Sequence, residues 1–554
     1  MAFFVPRNKS THPQRLIAGL RRSLEADLPD YMLPSHYRCL DALPSNANGK
    51  VDKPGLLQLL KDSAPASLDL SRFSGPGQRP LAQIWFELLG HGDFDPDAHF
   101  FEVGGHSLRA AALATQASRH FRVPVTVGDI YQHLVFKALA AELARRTQGQ
   151  GHEVRSADAG FEQDVGLVGD VRFAGQFDVD RLIAPRHVLL TGATGFVGVH
   201  LLAQLLATGT AMVHCPVRCD SAVAGLARLR QISERYQTPI AARDWRRVRV
   251  YVADLPEAYL GLGAADYSAL AGCVEVIYHC ASAVNFIMPY AYLRRDNVLG
   301  LEQIIRFAAA GQPKALMLMS TISIYSWGHR FTGKTRVLET DSIDENLPAI
   351  RCDLGYVQSK WVMEKLLDQA CANGMPAMTF RLGYATCHSE TGVSAHYQWW
   401  GRFIQTCLAH NAVPGLQDMR EGLTTVDYMV KALAWIARKP QALGRKFNLC
   451  QSQATNLGLQ AFCARVGGYY GRSLPVIPFK DWVALWENDP DEPLYPLLGM
   501  FKETQYGEET ILELYQHNYH WDRSQTAAML AGSAIVESRF EGPVLARYLQ
   551  HLRP

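Results

Sequence analysis

Tyr356 and Lys360 form a Y-x-x-x-K pair. On a helix, positions i and i+4 share one face, so an ammonium would stand beside a phenol. A neighbouring cation favours the phenolate, which lets a tyrosine exchange a proton near neutral pH. The lysine could also hold a nicotinamide ribose. A chain with 22 tyrosines meets this spacing by chance, and an incidental surface pair is the plain alternative. Upstream, however, the apolar run 315–326 (ALMLMSTISIYS) carries Ser320-Thr321. A hydroxyl there can donate to the same substrate oxygen as the tyrosine. Thr321, Tyr356 and Lys360 are therefore the candidate catalytic residues, suited to carbonyl polarisation and proton transfer.

A second constellation binds rather than reacts. Gly192, Gly195 and Gly198 spell G-x-x-G-x-x-G between the apolar run RHVLLT and the helical text HLLAQLLATG. Glycines there let a backbone approach a pyrophosphate, and the helix N-terminus offers free N–H groups and partial positive charge. The strand-before, helix-after context favours a dinucleotide over an ordinary tight turn. The candidate cofactor contacts are Gly192, Thr194, Gly195, Phe196, Val197 and Gly198, joined by Tyr356 and Lys360. The next strand, 211–218, ends in Pro216-Val217-Arg218, with Arg228 and Arg230 downstream. An acid at that point would favour NAD, whereas guanidinium groups pair with a 2′-phosphate, so NADPH is expected. Asp220 argues the other way, and a solvated helix face is the plainer explanation of the arginines. Asp254 and Leu255 end a third strand and are placed to meet the adenine. Ser282, after a fourth strand, would line the pyrophosphate and ribose.

A third candidate is Ser107, in the string FFEVGGHSL. A serine before a helical run is ordinarily an N-cap. Gly104 and Gly105 just ahead would also let a bulky group approach its hydroxyl.

These residues need elements to hold them. The 554 residues imply about three to five folded units. With 48% hydrophobic and 19% charged residues the chain can bury real cores. A formal net charge of +2 gives no basic footprint for nucleic acid. No run reaches the ~18 apolar residues of a membrane span, and MAFFVPRNKS turns polar too soon for a secretion signal. The 11 cysteines form no C-x-x-C pair, so neither a disulfide framework nor a metal site is expected, and a reducing cytoplasm is the expected setting.

The Ser/Pro/Gly-rich stretch 63–79 and the polar stretch 148–183 are expected linkers. Between them, 80–147 predicts a small bundle of three or four helices. From 184 on, six apolar strands (186–191, 211–218, 248–255, 274–281, 315–326 and 376–383) alternate with helical stretches such as 295–310 and 356–374. That alternation predicts a Rossmann-type doubly wound parallel sheet over 184–390. After 390 the text turns aromatic-rich and mostly helical, and is expected to form a substrate-binding part over 391–554. Its run 396–404 (HYQWWGRFI) suits either an acyl pocket or core packing.

Taken in order, TGATGFVG, the arginine after the second strand, ADL, HCASAVN, DNVLG, STISIY, YVQSK and RLGYATCHSETG resemble the extended short-chain dehydrogenase/reductases. More narrowly, they resemble the terminal thioester reductase domains of nonribosomal peptide synthetases. The resemblance implies that Thr321, Tyr356 and Lys360 are the catalytic triad; it departs at Cys387, where the family often has glycine. The segment 80–147 is similar to peptidyl carrier domains, which makes Ser107 the serine that carries 4′-phosphopantetheine, installed by a phosphopantetheinyl transferase. Residues 1–62 resemble the small C-terminal α/β subdomain of adenylation domains, with Lys50 at that family's catalytic lysine. The large ATP-binding part of that family is absent, so an upstream adenylation core or synthetase module is an expected partner. Together these imply NADPH-dependent release of an aminoacyl or peptidyl thioester from the arm, giving an aldehyde or, after a second hydride, an alcohol. The retained Tyr356 argues against a non-redox cyclising domain, and the carrier segment argues against a sugar-nucleotide epimerase. A carrier and docking module without redox activity is the remaining alternative.

Overall fold

The computed structural model describes residues 2–6, 37–40, 42, 44, 56, 68–148 except 102, 106 and 124, and 160–552 except 174, 396, 397 and 490. The chain divides into two compact units, one chiefly residues 1–155 and the other chiefly 156–554.

In the first unit, Ala2–Phe4 pairs in parallel with Tyr37–Cys39. Most of the rest of the expected adenylation subdomain, Lys50 included, lies outside the described residues. Four helices follow: α1 (Gln78–Leu89), α2 (Ser107–Phe121), α3 (Val127–Gln132) and α4 (Phe136–Thr147). Each longer helix has one apolar face, and these faces close on Trp85, whose ring lies 4.9–5.5 Å from Phe94, Phe100 and Phe136. Thr126 and Asp129 form a capping box at the start of α3. Arg146 of α4 donates to the same Asp129 carboxylate at 2.5 and 2.9 Å, which ties the two helices together.

The second unit is built on a seven-stranded, wholly parallel sheet: β1 (His187–Thr191), β2 (Met212–Val217), β3 (Val248–Val252), β4 (Val276–His279), β5 (Ala315–Thr321), β6 (Ala377–Leu382) and β7 (Lys446–Leu449). Their spatial order is β7-β6-β5-β4-β1-β2-β3. Every residue of β4 and β5 is buried, as expected for strands covered by helices on both faces. The order reverses between β1 and β4, so the ligand crevice belongs at their carboxyl ends. Helices α5 (Phe196–Thr208), α6 (Ala222–Arg235), α7 (Ala264–Cys273), α8 (Gly300–Ala309) and α9 (Gly355–Ala372) cover the sheet.

Two expectations change. All six expected strands form, but β7 comes from the region read as mostly helical. Its four residues are too few to show a period, and the pairing with β6 supplies the order. The supposed linker 148–183 also contains structure: residues 160–166 form a 3₁₀ helix, and Phe161, Val168 and Val171 are buried against the sheet's helices. The stretch reads as polar because only these spaced residues face inward. Its Asp164 binds Arg294 through two 2.7 Å contacts. As for 396–404, Trp399, Trp400, Phe403 and Ile404 are at most 3% exposed, with Trp400 stacked on Phe403 at 5.3 Å. These four side chains pack in the core.

Candidate active site

The dinucleotide turn is shaped by backbone contacts that only glycine permits. Gly192 has φ +68°, and a Cβ there would lie 2.6 Å from the Ala281 nitrogen. The loops after β1 and β4 therefore touch at the switch point. A Cβ on Gly198 would reach 2.7 Å from the Gly192 carbonyl carbon, and nearer still to its oxygen. Gly195 differs. It caps α5, and a Cβ there would meet only the Gly192 oxygen, at 3.3 Å. Gly192 and Gly198 bring strand, helix and loop together, and Gly195 leaves the helix N-terminus open to an anion. Val197 is half-buried, and Thr194 is partly buried in the same turn. The Phe196 side chain is 3% exposed and packs on His200 and Tyr236 at 4.9 and 5.1 Å. Only its backbone can serve a phosphate, because the first turn of α5 faces the core at that position.

Arg218 follows β2 and is 63% exposed, with Asp296 3.5 Å away. Arg228 donates to the Arg218 carbonyl at 3.3 Å, which places both arginines at one strand end. Arg230 instead lies over the Trp245 ring at 5.5 Å. One oxygen of Asp254 accepts from Arg295 at 2.7 Å, while the other is buried without a partner. That orphaned acceptor suits an exocyclic amino group such as that of adenine. Leu255 is partly buried beside it. The glycine cradle, the open helix end and the Asp254 acceptor together fit a nicotinamide dinucleotide.

The catalytic candidates converge. Thr321 ends β5 and caps the following 3₁₀ turn by accepting from the Ser323 N–H at 3.1 Å. Its hydroxyl also acts on the Tyr356 phenol, favouring the ionised form. Tyr356 and Lys360 lie one turn apart on α9, with the ammonium 5.9 Å from the phenol ring. Lys360 donates to the Met319 carbonyl of β5 at 3.0 Å, so the central strand holds it in place. Burial pushes the Lys360 ammonium down to about 8. Burial likewise pushes the Tyr356 phenol up, and Thr321 opposes this only in part. The phenol is therefore the resting form, as a proton donor requires. A neutral phenol beside a threonine hydroxyl is a proton donor aimed at an oxyanion. Gly355 is required just ahead, since a Cβ there would lie 2.5 Å from the Pro289 carbonyl carbon.

Several positioning residues carry no visible signature. Asn297, fully buried in a π-helical turn (Arg294–Leu299), accepts from the Ala283 N–H at 2.6 Å and from Ser282 at 3.2 Å. It donates to the Ala283 carbonyl and to Ser359 of α9. It thus ties the loop after β4 to the tyrosine helix, a frequent use of π turns at functional sites. Asn297 lies within DNVLG, but a mid-helix amide advertises no chemistry. Thr191 binds His279 at 3.0 Å and accepts from the Ala281 N–H, bracing the same switch point. Three residues before Tyr356, Asp353 accepts from Ser326, Leu354 N–H and Tyr515, and burial pushes its carboxyl up to about 6. Glu421 lies near Tyr515, and burial alone pushes it up to about 8. Cys387 is buried, and its carbonyl accepts from Val426 N–H at 2.9 Å, so the loop accommodates it.

In the carrier segment, Gly104 has φ +105°, and a Cβ on Gly105 would lie 2.5 Å from the Phe100 oxygen. This tight turn delivers the chain to Ser107, the first residue of α2.

Comparison with known proteins agrees with this architecture. Residues 190–433 match the NAD-binding family described as Male sterility protein, and residues 79–143 match the phosphopantetheine attachment site family. The chain thus joins a segment that matches the phosphopantetheine attachment site family to one that matches the NAD-binding Male sterility family. Among its relatives, aldehyde reductase lnbA of Aspergillus flavus is 30% identical over 519 residues, covering 91% of this chain and 50% of that protein. The non-canonical nonribosomal peptide synthetase FrzA of a Cladobotryum species is 29% identical over 543 residues, covering 96% of this chain and 52% of that protein. The crystal structure of the terminal R domain from the myxalamid PKS-NRPS biosynthetic pathway superimposes with a TM-score of 0.62 at 26% identity, covering 71% of this chain and 97% of that one. The chain spans about half the length of the relatives it matches along most of its own length. No described helix is long and apolar enough to cross a membrane.

Proposed function

We propose that this chain releases an aminoacyl or peptidyl thioester from its own carrier by reduction to an aldehyde, with NADPH as the coenzyme. The observation that carries the reading is the placement of Tyr356 and Lys360 one turn apart on α9, with Lys360 held by Met319 of β5 and Thr321 at the carboxyl end of that strand. A bound reduced nicotinamide supplies hydride to a carbonyl. Tyr356 and Thr321 would hold the oxygen of that carbonyl, and their fixed hydroxyls stabilise the charge that develops on it. Tyr356 then gives up its proton, and Lys360, held by Met319, offsets the resulting phenolate charge. Collapse of the hemithioacetal frees the thiol and leaves the aldehyde.

Arg218 and Arg228 support NADPH over NADH, because two guanidinium groups at the end of β2 suit a 2′-phosphate. Ser107 is the attachment point for 4′-phosphopantetheine in this reading, and a tethered thioester meets the reductase at high effective concentration. Residues 1–62 are read as an adenylation subdomain, with an upstream adenylation core or synthetase module loading the arm and a phosphopantetheinyl transferase priming it, in a reducing cytoplasm. The decisive experiment follows coenzyme absorbance with synthetic acyl-pantetheine thioesters and identifies the product. Tyr356→Phe should lower turnover by roughly 10²–10⁴-fold and leave coenzyme affinity intact. Unchanged turnover removes Tyr356 from the mechanism.

A further inference from the structure

At the amino half of the sheet, away from the crevice, three metal-ligating side chains meet. His187 opens β1, His214 lies in β2, and Cys273 ends α7 just ahead of β4. The register sets Leu189 opposite His214, so His187 and His214 share one face of the sheet. His187 Nδ1 stands 3.0 Å from His214 Nε2, with the rings stacked at 5.3 Å and 25°. With the Cys273 sulfur, the ligand atoms all lie within 4.8 Å of one another. The second nitrogen of His214 is 3.1 Å from the Tyr251 hydroxyl, an outer partner that orients the ring and leaves Nε2 for the cluster.

We propose that His187, His214 and Cys273 form a binding site for a divalent transition metal of the zinc class, with water completing a tetrahedron. The chemistry of the set suits this, since two imidazoles and a thiolate are the ligands zinc prefers. The geometry is close to what is required. Zn–N near 2.0 Å and Zn–S near 2.3 Å in a tetrahedron imply ligand separations of about 3.3–3.6 Å. The nitrogen pair opens by about 0.3 Å, and the widest separation closes by about 1.2 Å at most. Binding replaces the proton shared between the two imidazoles and releases the thiol proton. The three ligands lie far apart in sequence, with none of the close spacings that mark zinc motifs, which is why the sequence alone led to the opposite expectation. Because they join β1, β2 and α7 at the end opposite Gly192 and Tyr356, the metal stabilises the dinucleotide half of the sheet and takes no part in reduction.

The test titrates the untagged full chain with cobalt(II), then displaces it with zinc(II). One equivalent should give intense tetrahedral visible bands and a sulfur-to-cobalt charge-transfer band. Zinc should raise the melting temperature. Cys273→Ser should lose the charge-transfer band and the thermal gain while keeping its coenzyme-dependent turnover. His187→Gln, a gentler change at a half-buried position, should weaken affinity at least about tenfold. Absence of the sulfur band in the parent chain, or its survival in Cys273→Ser, overturns the site and leaves a hydrogen-bonded histidine pair.

Discussion

Two glycines in one turn should fail in different ways when given a methyl group. In Gly198→Ala the new Cβ stands 2.7 Å from the Gly192 carbonyl carbon and 3.1 Å from Ala193 Cα. Both are backbone atoms that no rotamer can move aside. Relief needs a displacement of about 1 Å, because ordinary carbon contacts lie near 3.5–4.0 Å. Overpacking of this kind costs about 1–3 kcal/mol or more. A shift of that size also misplaces the cradle, so coenzyme binding and melting temperature fall together. In Gly195→Ala the Cβ meets one oxygen at 3.3 Å, and a few tenths of an ångström suffice. The stability cost is about 1 kcal/mol or less, mostly from the poorer cap. The methyl, however, stands at the mouth of α5, where a phosphate must approach the first-turn N–H groups. Loss of one charge-assisted hydrogen bond costs about 1.5–3 kcal/mol, which is roughly 10- to 150-fold in affinity. Thermal melts and fluorescence titration with NADPH on both variants read the two effects separately. If Gly195→Ala binds the coenzyme as the parent does, the phosphate does not sit on this helix. If Gly198→Ala melts as the parent does, the packing argument is wrong.

The remaining predictions concern protons and bracing. Burial lowers Lys360 to about 8, so its proton leaves earlier than from an ordinary lysine. Turnover should fall as the pH rises through about 8, and Lys360→Arg should move that fall to higher pH. Glu421 keeps its proton in the folded state up to about 8, whereas the unfolded chain ionises near 4.3. Between those values the folded state binds more protons, so this residue's effect on stability worsens as pH rises and levels off above about 8. Glu421→Gln should therefore show a melting advantage that grows from about pH 5 to about pH 8; an advantage independent of pH would contradict the assignment. Asn297→Leu orphans the Ala283 N–H, at about 1–3 kcal/mol, and removes the bond that Ser359 accepts, while Ser359 still donates to the Tyr356 carbonyl. It should lower both melting temperature and kcat, with a smaller change in coenzyme Kd, measured on the same preparation.

Much of this was legible because chemistry at a Rossmann crevice is local in sequence. The glycine turn, Thr321 at a strand end and the Tyr356–Lys360 pair each sit at positions whose spacing carries meaning. What escaped notice was long-range. Phe196 falls inside the cofactor motif, yet the helix phase turns its side chain into the core. Asn297 acts through contacts with Ala283 and Ser359, which nothing near it announces. The four residues of β7 take their conformation from β6. Tyr356 shows a further limit: the neighbouring ammonium suggested a low pKa, but desolvation by the surrounding core outweighs it.

The segment around Phe161 has a practical meaning for module exchange. Phe161 lies 5.5 Å from Trp361 on the tyrosine helix, and Asp164 grips Arg294 and Tyr290 beside the Asn297 turn. A reductase spliced onto a foreign carrier at residue 184 would arrive without this splint, its helix pair bare where the splint had lain. A splice ahead of Gly160 transfers it whole, so the natural seam for recombining such proteins falls at least 27 residues upstream of His187, where the first sheet strand starts.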